Sequence, residues 1–342
     1  MDIVLTGIKT TGTPHIGNYV GMFKPAIAAS VRPGVRSYFF LADYHALGDA
    51  ELTERTTLEI AATWLACGLD PDNVVFYRQS DIPEIPELCW ILNVATAKGL
   101  MNRAHAYKAA VDANVAEGND PDHGIMMNLY CYPILMAADI LLFKATKVPV
   151  GKDQKQHVEM ARDVAQRFNH LFGSTFVLPE AVIGENAATL SGLDGRKMSK
   201  SYGNTIPLFA SAKDLRKLVM RIKTNSLEPG VPKDANDSTL FDIYQAFATP
   251  EQTAAIRERY AAGISWGEMK QVLFELIDNE LKDKRAEYDR LIASPERVEK
   301  LLREGAEKAR AISRPFLAEI RERVGIRPLA RSGMDIAPRP PT

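Results

Sequence analysis

Two short segments of the chain combine residue types that can bind and activate a phosphate. The first, PHIGN at residues 14–18, follows an apolar run and a glycine-containing turn. We expect Thr13 to cap a helix and Pro14 to take its first position, where the N–H that proline lacks would be unpaired anyway. His15 would then lie in the first turn, where free backbone N–H groups and the helix dipole attract phosphate. The PHIGN motif therefore predicts a phosphate or ribose site to which His15 and Asn18 donate hydrogen bonds.

The second segment, KMSKS at residues 197–201, places two lysines three residues apart beside two hydroxyl groups. Gly192 and Gly195 precede it and favour a loop. Such lysines can stabilise the charge that develops on a pyrophosphate, and such a loop can close over a substrate. Each motif alone has a simpler explanation, a capped helix after a tight turn for the first and a solvated turn for the second. PHIGN matches neither the dinucleotide G-x-G-x-x-G pattern nor the P-loop.

Composition indicates an ordinary globular protein large enough for two domains. The chain has 342 residues, of which 46% are hydrophobic and 25% charged, and no apolar run approaches the ~20 residues of a membrane span. The opening MDIVLTG has no basic leader, so we expect a cytoplasmic protein. Cys67, Cys89 and Cys131 lie far apart in apolar segments, which favours buried thiols over a disulfide or zinc set. The formal net charge is −1, so any nucleic-acid contact requires a local basic patch.

The motifs must be positioned by elements that alternate between strand and helix in the first half. We predict strands at 3–7, 37–47, 73–80, 147–151 and 174–179, and helices at 15–30, 52–68, 84–98, 126–144 and 153–171. The later helices are predicted at 211–223, 237–249, 250–262, 265–293 and 295–325. This order indicates the α/β class, with a Rossmann-like doubly wound parallel sheet and a C-terminal helical domain. Such sheets bind ligands beyond the carboxyl ends of their strands.

The two motifs together resemble the signatures of class I aminoacyl-tRNA synthetases. PHIGN resembles the HIGH signature, with Gly17 and Asn18 at its last two positions, and KMSKS matches the second signature. The chain is most similar to the bacterial-type tryptophanyl-tRNA synthetases, through GIKTTGTPHIGNYVG, YPILMAADILLF, VPVGKDQKQHVEMARDVAQRFN and KMSKS, in that order. The resemblance implies that tryptophan is activated with ATP, that Mg²⁺ is carried by the ATP and not by protein ligands, and that tRNA(Trp) then accepts the tryptophanyl group. It also implies a homodimer in which one tRNA spans both subunits.

The resemblance further implies how the chain is divided. A Rossmann-like catalytic domain would cover residues 1–190, with a helical insertion at about 101–124. The KMSKS loop would cover 191–206 and a helical anticodon-binding domain 207–328. Residues 329–342 lack periodicity, and we expect them to be disordered.

Site residues follow from the same resemblance. Lys197, Lys200 and His15 would be catalytic. ATP would be bound by Lys9, Thr10, Thr11, Gly17, Asn18, Gly151, Lys152, Asp153, Leu190, Lys197, Met198, Ser199, Lys200 and Ser201. Tryptophan would be bound by Asp139, Met136, Tyr132, Gln154, His45, Val148 and Val150. By their residue types alone, Gly151 allows close approach of a ligand and Asp153 can bind ribose hydroxyls or simply cap a helix, whereas His157 is expected to face solvent or brace its helix.

One carboxylate carries the expected amino-acid specificity. Tyr132, Met136 and Asp139 share one face of a helix whose other residues are apolar. A buried acid needs a partner, and a backbone group or a lysine would be the simplest one. The resemblance instead assigns Asp139 to the indole N–H of tryptophan, since a carboxylate accepts and indole offers a single donor. A tyrosyl enzyme stays open because phenol also donates, although Met136 stands where that family commonly has glutamine.

The last helices are locally basic and could contact tRNA. Their basic residues are Arg303, Lys308, Arg310, Arg314, Arg321, Arg323, Arg327 and Arg331. Glu304, Glu307, Glu319 and Glu322 offset part of this charge, so a solvated helix face is the alternative. Two other protein classes would share the motifs: an adenylyltransferase that never meets tRNA, which would not need the long helical region, and an inactive paralogue, which would be expected to lose the motif lysines or histidine.

Overall fold

The computed structural model describes residues 1–48, 50–183 and 190–327. The chain packs into two compact units. The first comprises residues 1–81 and 146–155 and the described residues of 180–308; the second comprises 82–145, 156–179 and the described residues from 309 onward. The tail predicted to be disordered and Arg331 both lie outside the described residues.

A five-stranded parallel sheet forms the centre of the first unit. Its strands are β1 (Asp2–Lys9), β2 (Val35–Ala42), β3 (Val75–Arg78), β4 (Lys147–Pro149) and β5 (Glu180–Val182). The strand order is β3-β2-β1-β4-β5, with all neighbours parallel. The order reverses between β1 and β4, which marks the carboxyl ends of these two strands as the expected ligand site. The predicted Rossmann-like fold is confirmed.

The helices follow the predicted pattern, except that the helix predicted at 84–98 ends at Leu92 and a separate short helix (Lys98–Met101) follows it. In chain order they are α1 (Ile16–Asn18), α2 (Lys24–Ser30), α3 (Ala50–Ala66), α4 (Glu84–Leu92), α5 (Lys98–Met101), α6 (His105–Ala116), α7 (Met127–Leu142), α8 (Lys155–Phe172), α9 (Ala212–Met220), α10 (Thr239–Phe247), α11 (Pro250–Ala261), α12 (Trp266–Ile292) and α13 (Pro295–Arg323). A π-helical turn (Tyr19–Phe23) joins α1 to α2, a type of turn that is frequent at functional sites.

Aromatic residues fill the core of the first unit. Trp64 of α3 lies edge-on to Phe23 and Phe39, with ring centroids 4.5 and 4.9 Å apart. Helix α12 packs against both α3 and α9. Its buried residues Met269, Leu273, Ile277 and Leu281 recur at intervals of four, which is the spacing of one helix face. The buried face of α12 thus extends the hydrophobic core that α3 forms beside the sheet.

The second unit is helical, and α4 packs on α7 within it. The carboxylate of Glu84 is buried and accepts from Arg310 at 3.1 Å and from Ser313 at 3.2 Å. The predicted helical insertion at 101–124 contains α6, which is followed by a turn. No helix in the described ranges has the length and apolar character needed to cross a bilayer.

One strand prediction is wrong. Residues 174–179 do not form a strand, and β5 begins only at Glu180, whose N–H donates to the carbonyl of Thr146. The side chain of Asn169 replaces a strand partner here. Its Oδ1 accepts from the N–H groups of Thr175 and Phe176 at 2.9 and 2.8 Å. An apolar run predicts burial, but a side chain that satisfies the backbone can replace sheet pairing.

Candidate active site

The PHIGN motif begins its helix later than predicted. Residue 15 and not Thr13 is the N-cap, and α1 begins at Ile16. Pro14 lies outside the helix because its carbonyl accepts from the N–H of Leu208 at 3.0 Å, while Ile16 N–H donates to the carbonyl of Ile206 at 3.0 Å. Residues 14–16 therefore pair with 206–208, just beyond the KMSKS motif in sequence.

The side chain of Asn18 satisfies a backbone N–H at the start of α1. Its Oδ1 accepts from the N–H of His15 at 3.0 Å. The hydroxyl of Thr13 points elsewhere and donates to Glu59 at 3.3 Å. Gly17 leaves room for the imidazole of His15, because a Cβ at residue 17 would lie 3.0 Å from that ring.

Two buried polar atoms lie at the carboxyl end of β1 without a hydrogen-bond partner in the described part of the chain. They are Oγ1 of Thr10 and Nδ1 of His15. The carbonyl of Thr10 is satisfied, because it accepts from Thr56 Oγ1 at 2.6 Å. Buried polar groups are almost always paired, so two unpartnered polar atoms in this short segment are what a site for a polar ligand would leave.

His15 is held in its neutral form. Burial lowers the pKa of its imidazole to about 4, and the nearby charge of Lys200 acts in the same direction. At neutral pH the ring can therefore offer a hydrogen bond but no positive charge.

The KMSKS motif reaches the turn after β1 through Lys200. Its Nζ donates to the carbonyl of Thr11 at 3.0 Å, and burial lowers the pKa of this amine. Gly12 has φ of +64°, and a Cβ there would come within 2.6 Å of Lys200 Nζ, so this turn suits glycine. Lys197 pairs through its backbone with Ser191, and its side chain is exposed.

Asn204 ties the KMSKS loop together, and the sequence interpretation did not identify it. The residue is 3% exposed. Its Oδ1 accepts from Ser199 N–H at 2.8 Å, and its Nδ2 donates to Asp194 Oδ1 at 2.7 Å and to the carbonyl of Lys197 at 3.0 Å. Asn204 Nδ2, together with Arg196, lowers the pKa of Asp194 to about 2. Gly192 leaves room for this arrangement, since a Cβ there would lie 2.7 Å from the Asn204 carbonyl oxygen.

Two buried apolar residues also hold the KMSKS loop. Met198 and Leu190 are buried, and the N–H of Met198 donates to the carbonyl of Leu190 at 2.8 Å. The hydroxyls of Ser199 and Ser201 lie 2.8 Å apart. The loop is thus held by hydrogen bonds and burial, with its lysine side chains left at the surface.

The turn after β4 lies at the same edge of the sheet. Gly151, Lys152 and Asp153 are exposed there, ahead of α8. Oδ2 of Asp153 accepts from Nε2 of Gln154 at 2.9 Å. In the first unit, Val148 is buried in β4, Val150 is half-buried, and His45 is half-buried in a turn (Tyr44–Ala46) that follows β2.

Helix α7 of the second unit carries the other predicted residues. Asp139 is fully buried, between Ala138 and Ile140 in the chain, and Met136 and Tyr132 are half-buried. Burial raises the pKa of the Cys89 thiol to about 12, and the charge of Asp139 acts in the same direction. The carboxylate of Asp139 is therefore buried on a helix of mostly apolar residues.

Tyr132 has a partner that was not expected. Its hydroxyl lies 2.6 Å from Nε2 of His157. His157 is 2% exposed, so of its two expected roles the solvent-facing one is wrong, and the other, bracing the helix, is consistent with its burial. The histidine falls on the buried side of α8 with Val158 and Ala161, which its neighbours in sequence, Gln156 and Glu159, do not reveal.

Most basic side chains of α13 are engaged within the chain. Arg303 pairs with Glu299 and Arg323 pairs with Glu319, each at 2.8 Å. Arg310 and Arg314 pair with Glu84 at 3.1 and 3.7 Å, and Arg321 pairs with Glu87 at 2.6 Å. Lys308 and, just after the helix, Arg327 donate to the carbonyls of Pro71 and Glu322. The contacts with Glu84, Glu87 and Pro71 join α13 to other segments, whereas those with Glu299, Glu319 and Glu322 are local. Together they reduce the charge that these residues offer to a polyanion.

Side chains that could bind a metal ion are dispersed over the described residues. Within residues 1–48, 50–183 and 190–327, no group of three His, Cys, Asp or Glu side chains is arranged to hold a metal ion. The three cysteines are free thiols, of which Cys67 is buried and Cys89 and Cys131 are half-buried.

Comparison with known proteins identifies close relatives. The chain matches the family described as tRNA synthetases class I (W and Y) over residues 2–282. It is 62% identical over 330 residues to the tryptophan–tRNA ligase of Pseudomonas putida, which covers 95% of this chain and 74% of the relative. Identity to the tryptophan–tRNA ligase of Xanthomonas axonopodis pv. citri is 59% over 332 residues, covering 96% of this chain and 77% of that one.

A solved structure extends the similarity to the fold. The tryptophanyl-tRNA synthetase of Campylobacter jejuni, in complex with ADP and tryptophan, is 41% identical with a TM-score of 0.86. The match covers 94% of this chain and 99% of that one.

Proposed function

The chain belongs to the W and Y group of class I tRNA synthetases, and from this premise we infer that it is a tryptophan–tRNA ligase. It activates tryptophan with ATP and transfers the tryptophanyl group to tRNA(Trp), releasing AMP and pyrophosphate. The observation that carries this conclusion is the identity of 62% to a tryptophan–tRNA ligase over 95% of the chain. The tyrosyl, tRNA-independent and inactive alternatives have no comparable support.

We propose that ATP lies against the PHIGN and KMSKS motifs. The orphaned Thr10 Oγ1 and His15 Nδ1 offer unused hydrogen-bonding capacity there, and Lys200 is already directed to the turn after β1. The other ATP contacts are assigned to the turns after β1 and β4 and to the KMSKS loop, as predicted from the sequence.

In the first step, the tryptophan carboxylate attacks the α-phosphorus of ATP. An O–P bond forms to the carboxylate, the bond to the bridging oxygen breaks, and that oxygen leaves with the pyrophosphate. A carboxylate is already a nucleophile, so no general base is required. The work of this chain is positioning and electrostatic stabilisation, and we assign the charge on the leaving pyrophosphate to Lys200 and Lys197. The neutral His15 serves as a hydrogen-bond partner.

Asp139 is proposed to select tryptophan by accepting from the indole N–H. Its burial on a mostly apolar helix supports this assignment, because a carboxylate accepts hydrogen bonds and indole offers a single donor. We assign further tryptophan contacts to Met136, Tyr132, His45, Val148, Val150 and Gln154. Tyr132 is fixed by its contact with His157 and so has little rotational freedom to lose.

The remaining parts of the proposal rest on the family. We propose that Mg²⁺ arrives bound to the ATP phosphates, as the family resemblance implies. We further propose a homodimer, a cytoplasmic location beside the translation machinery, catalysis within residues 1–190 with the KMSKS loop, and anticodon contacts within 207–328.

The decisive test is ATP–pyrophosphate exchange with each of the twenty amino acids, followed by aminoacylation of a tRNA(Trp) transcript. Exchange should depend on tryptophan, and the transcript should then be charged. Exchange that depends on tyrosine would overturn the assignment of substrate, and exchange without charging would overturn the assignment of tRNA.

A further inference from the structure

Helix α9 presents a cluster of positive charge that the site described above does not use. Lys213, Arg216 and Lys217 are exposed and lie at positions i, i+3 and i+4, so they share one helix face. We call these three residues the α9 basic face. With Met220 and Phe274 they line an open groove of about 490 Å³.

The charge of the α9 basic face is not neutralised by the protein. Among the described residues, none of its three side chains forms an ion pair; Arg216 donates only to the amide oxygen of Gln271, at 3.2 Å. The acid on the same helix, Asp214, is occupied at the N-terminus, where its carboxylate accepts from the hydroxyl of Ser211 at 2.7 Å. The cluster stands out in a chain whose formal net charge is −1.

Both ends of α9 are tied to the catalytic motifs. Four residues before the helix, the N–H of Leu208 donates to the carbonyl of Pro14 in the PHIGN motif at 3.0 Å. Three residues after it, the N–H of Lys223 donates to the carbonyl of Leu193, in the loop that leads to KMSKS, at 2.9 Å. The helix spans about 14 Å at 1.5 Å per residue, and the segments that flank it on both sides are joined by hydrogen bonds to the two motif regions.

We propose that the α9 basic face binds the phosphate backbone of the tRNA acceptor strand, an inference that rests on the proposed function. The acceptor end must reach the adenylate held by the two motifs, and its backbone is a polyanion. Unpaired lysine and arginine side chains bind phosphates and release counterions. Phe274 and Met220 add an apolar floor on which a base or ribose can pack.

The test compares two triple variants of equal charge. The first is Lys213→Gln with Arg216→Gln and Lys217→Gln. The matched control is Arg32→Gln with Arg36→Gln and Lys147→Gln, which removes three cations of the same unit at the N-terminal ends of β2 and β4, opposite the carboxyl ends where the two motifs lie. Lys147 pairs with Asp2 at 2.8 Å, and an exposed pair of this kind contributes little to stability.

Binding of a tRNA(Trp) transcript is measured by fluorescence anisotropy at several salt concentrations. The α9 variant should bind about tenfold or more weakly at low salt. The slope of log affinity against log salt should fall by roughly 2 to 3, since each phosphate that is no longer neutralised lowers it by about 0.7–0.9. The control should retain the slope. Tryptophan-dependent pyrophosphate exchange and the thermal unfolding midpoint should stay at wild-type values in both variants.

Three results would overturn the proposal: unchanged tRNA affinity of the α9 variant, an equal loss in the control, or loss of pyrophosphate exchange in the α9 variant, which would place the cluster in adenylation or folding. Failure of the wild-type chain to show tryptophan-dependent exchange would instead count against the proposed function, so the two failures are distinguishable.

Discussion

The proposed nucleotide-binding region of the first unit and helix α7 of the second differ in how they hold their polar groups. The first joins distant segments by backbone hydrogen bonds, such as those between residues 14–16 and 206–208, and leaves charged and polar groups at its surface. Helix α7 instead buries one carboxylate, Asp139, in an otherwise apolar stretch. The difference teaches that, on the proposed function, catalysis would depend on an assembled set of groups, whereas selection of the amino acid would depend on a single acceptor. Changes in the two regions should therefore affect different steps.

The largest effect is expected in the nucleotide-binding region. Lys200→Ala should lower the rate of adenylate formation by about 10²- to 10³-fold, the usual loss when one pre-positioned donor to a developing charge is removed. Tryptophan binding, measured by equilibrium dialysis, should stay near the wild-type value. Pyrophosphate exchange at the wild-type rate would show that Lys200 is not catalytic and would erase the proposed difference between the regions.

A smaller effect of the opposite kind is expected in α7. Asp139→Asn should weaken tryptophan binding about tenfold, because a neutral acceptor replaces a charged one, and Asp139→Leu about a hundredfold, because the indole N–H loses its partner. ATP binding should change little in either variant. Calorimetric titration with each ligand measures both effects.

A substrate analogue separates this role from a structural one. An analogue with sulfur in place of the indole N–H should bind the wild-type protein poorly. It should bind the Asp139→Leu variant nearly as well as tryptophan binds that same variant. Equal weakening of tryptophan, ATP and analogue would identify Asp139 as a structural residue.

Asn204 sharpens the comparison further, because its side chain holds the KMSKS loop through hydrogen bonds to Ser199, Asp194 and Lys197. Asn204→Ala removes three hydrogen bonds to the KMSKS loop, and the maximal exchange rate should fall about tenfold if loop order costs about 1–1.5 kcal/mol. Asn204→Asp keeps the acceptor for Ser199 but loses both donations, so it should not restore the rate. A loss confined to thermal stability, with kcat unchanged, would argue against a positioning role.

The smallest expected effect concerns pH. Since the pKa of His15 is about 4 in the folded chain and 6.5 when unperturbed, the unfolded chain binds more protons between these values. The free energy of unfolding should therefore fall as pH falls through this window. His15→Gln removes that contribution, so the wild type should lose more stability than the variant between about pH 7.5 and about pH 5. Urea denaturation at the two pH values measures the difference, and parallel losses would refute the neutral, buried imidazole.

Much of the fold could be predicted from the sequence because its signals are local. Apolar runs predicted four of the five strands, and helical spacing and caps such as Thr249 before Pro250 predicted the helices. The errors arose where a contact made outside the predicted element overrode the local signal. Asn169 took over the backbone groups of residues 175 and 176, and pairing with residues 206–208 moved the helix start from Thr13 to Ile16.

The sequence by itself determined the family, through two motifs whose order and chemistry few other proteins share, and it determined the strand and helix pattern that makes a Rossmann-like sheet. Only the tertiary structure decided that Asn204 supports the KMSKS loop, that the α13 arginines are engaged in ion pairs, and that the cations of α9 form no ion pair with any residue the structure describes. Residue type and spacing report what a side chain can do, but its partners are set by segments far away in sequence. A charge is available to a ligand only if no such segment has already neutralised it.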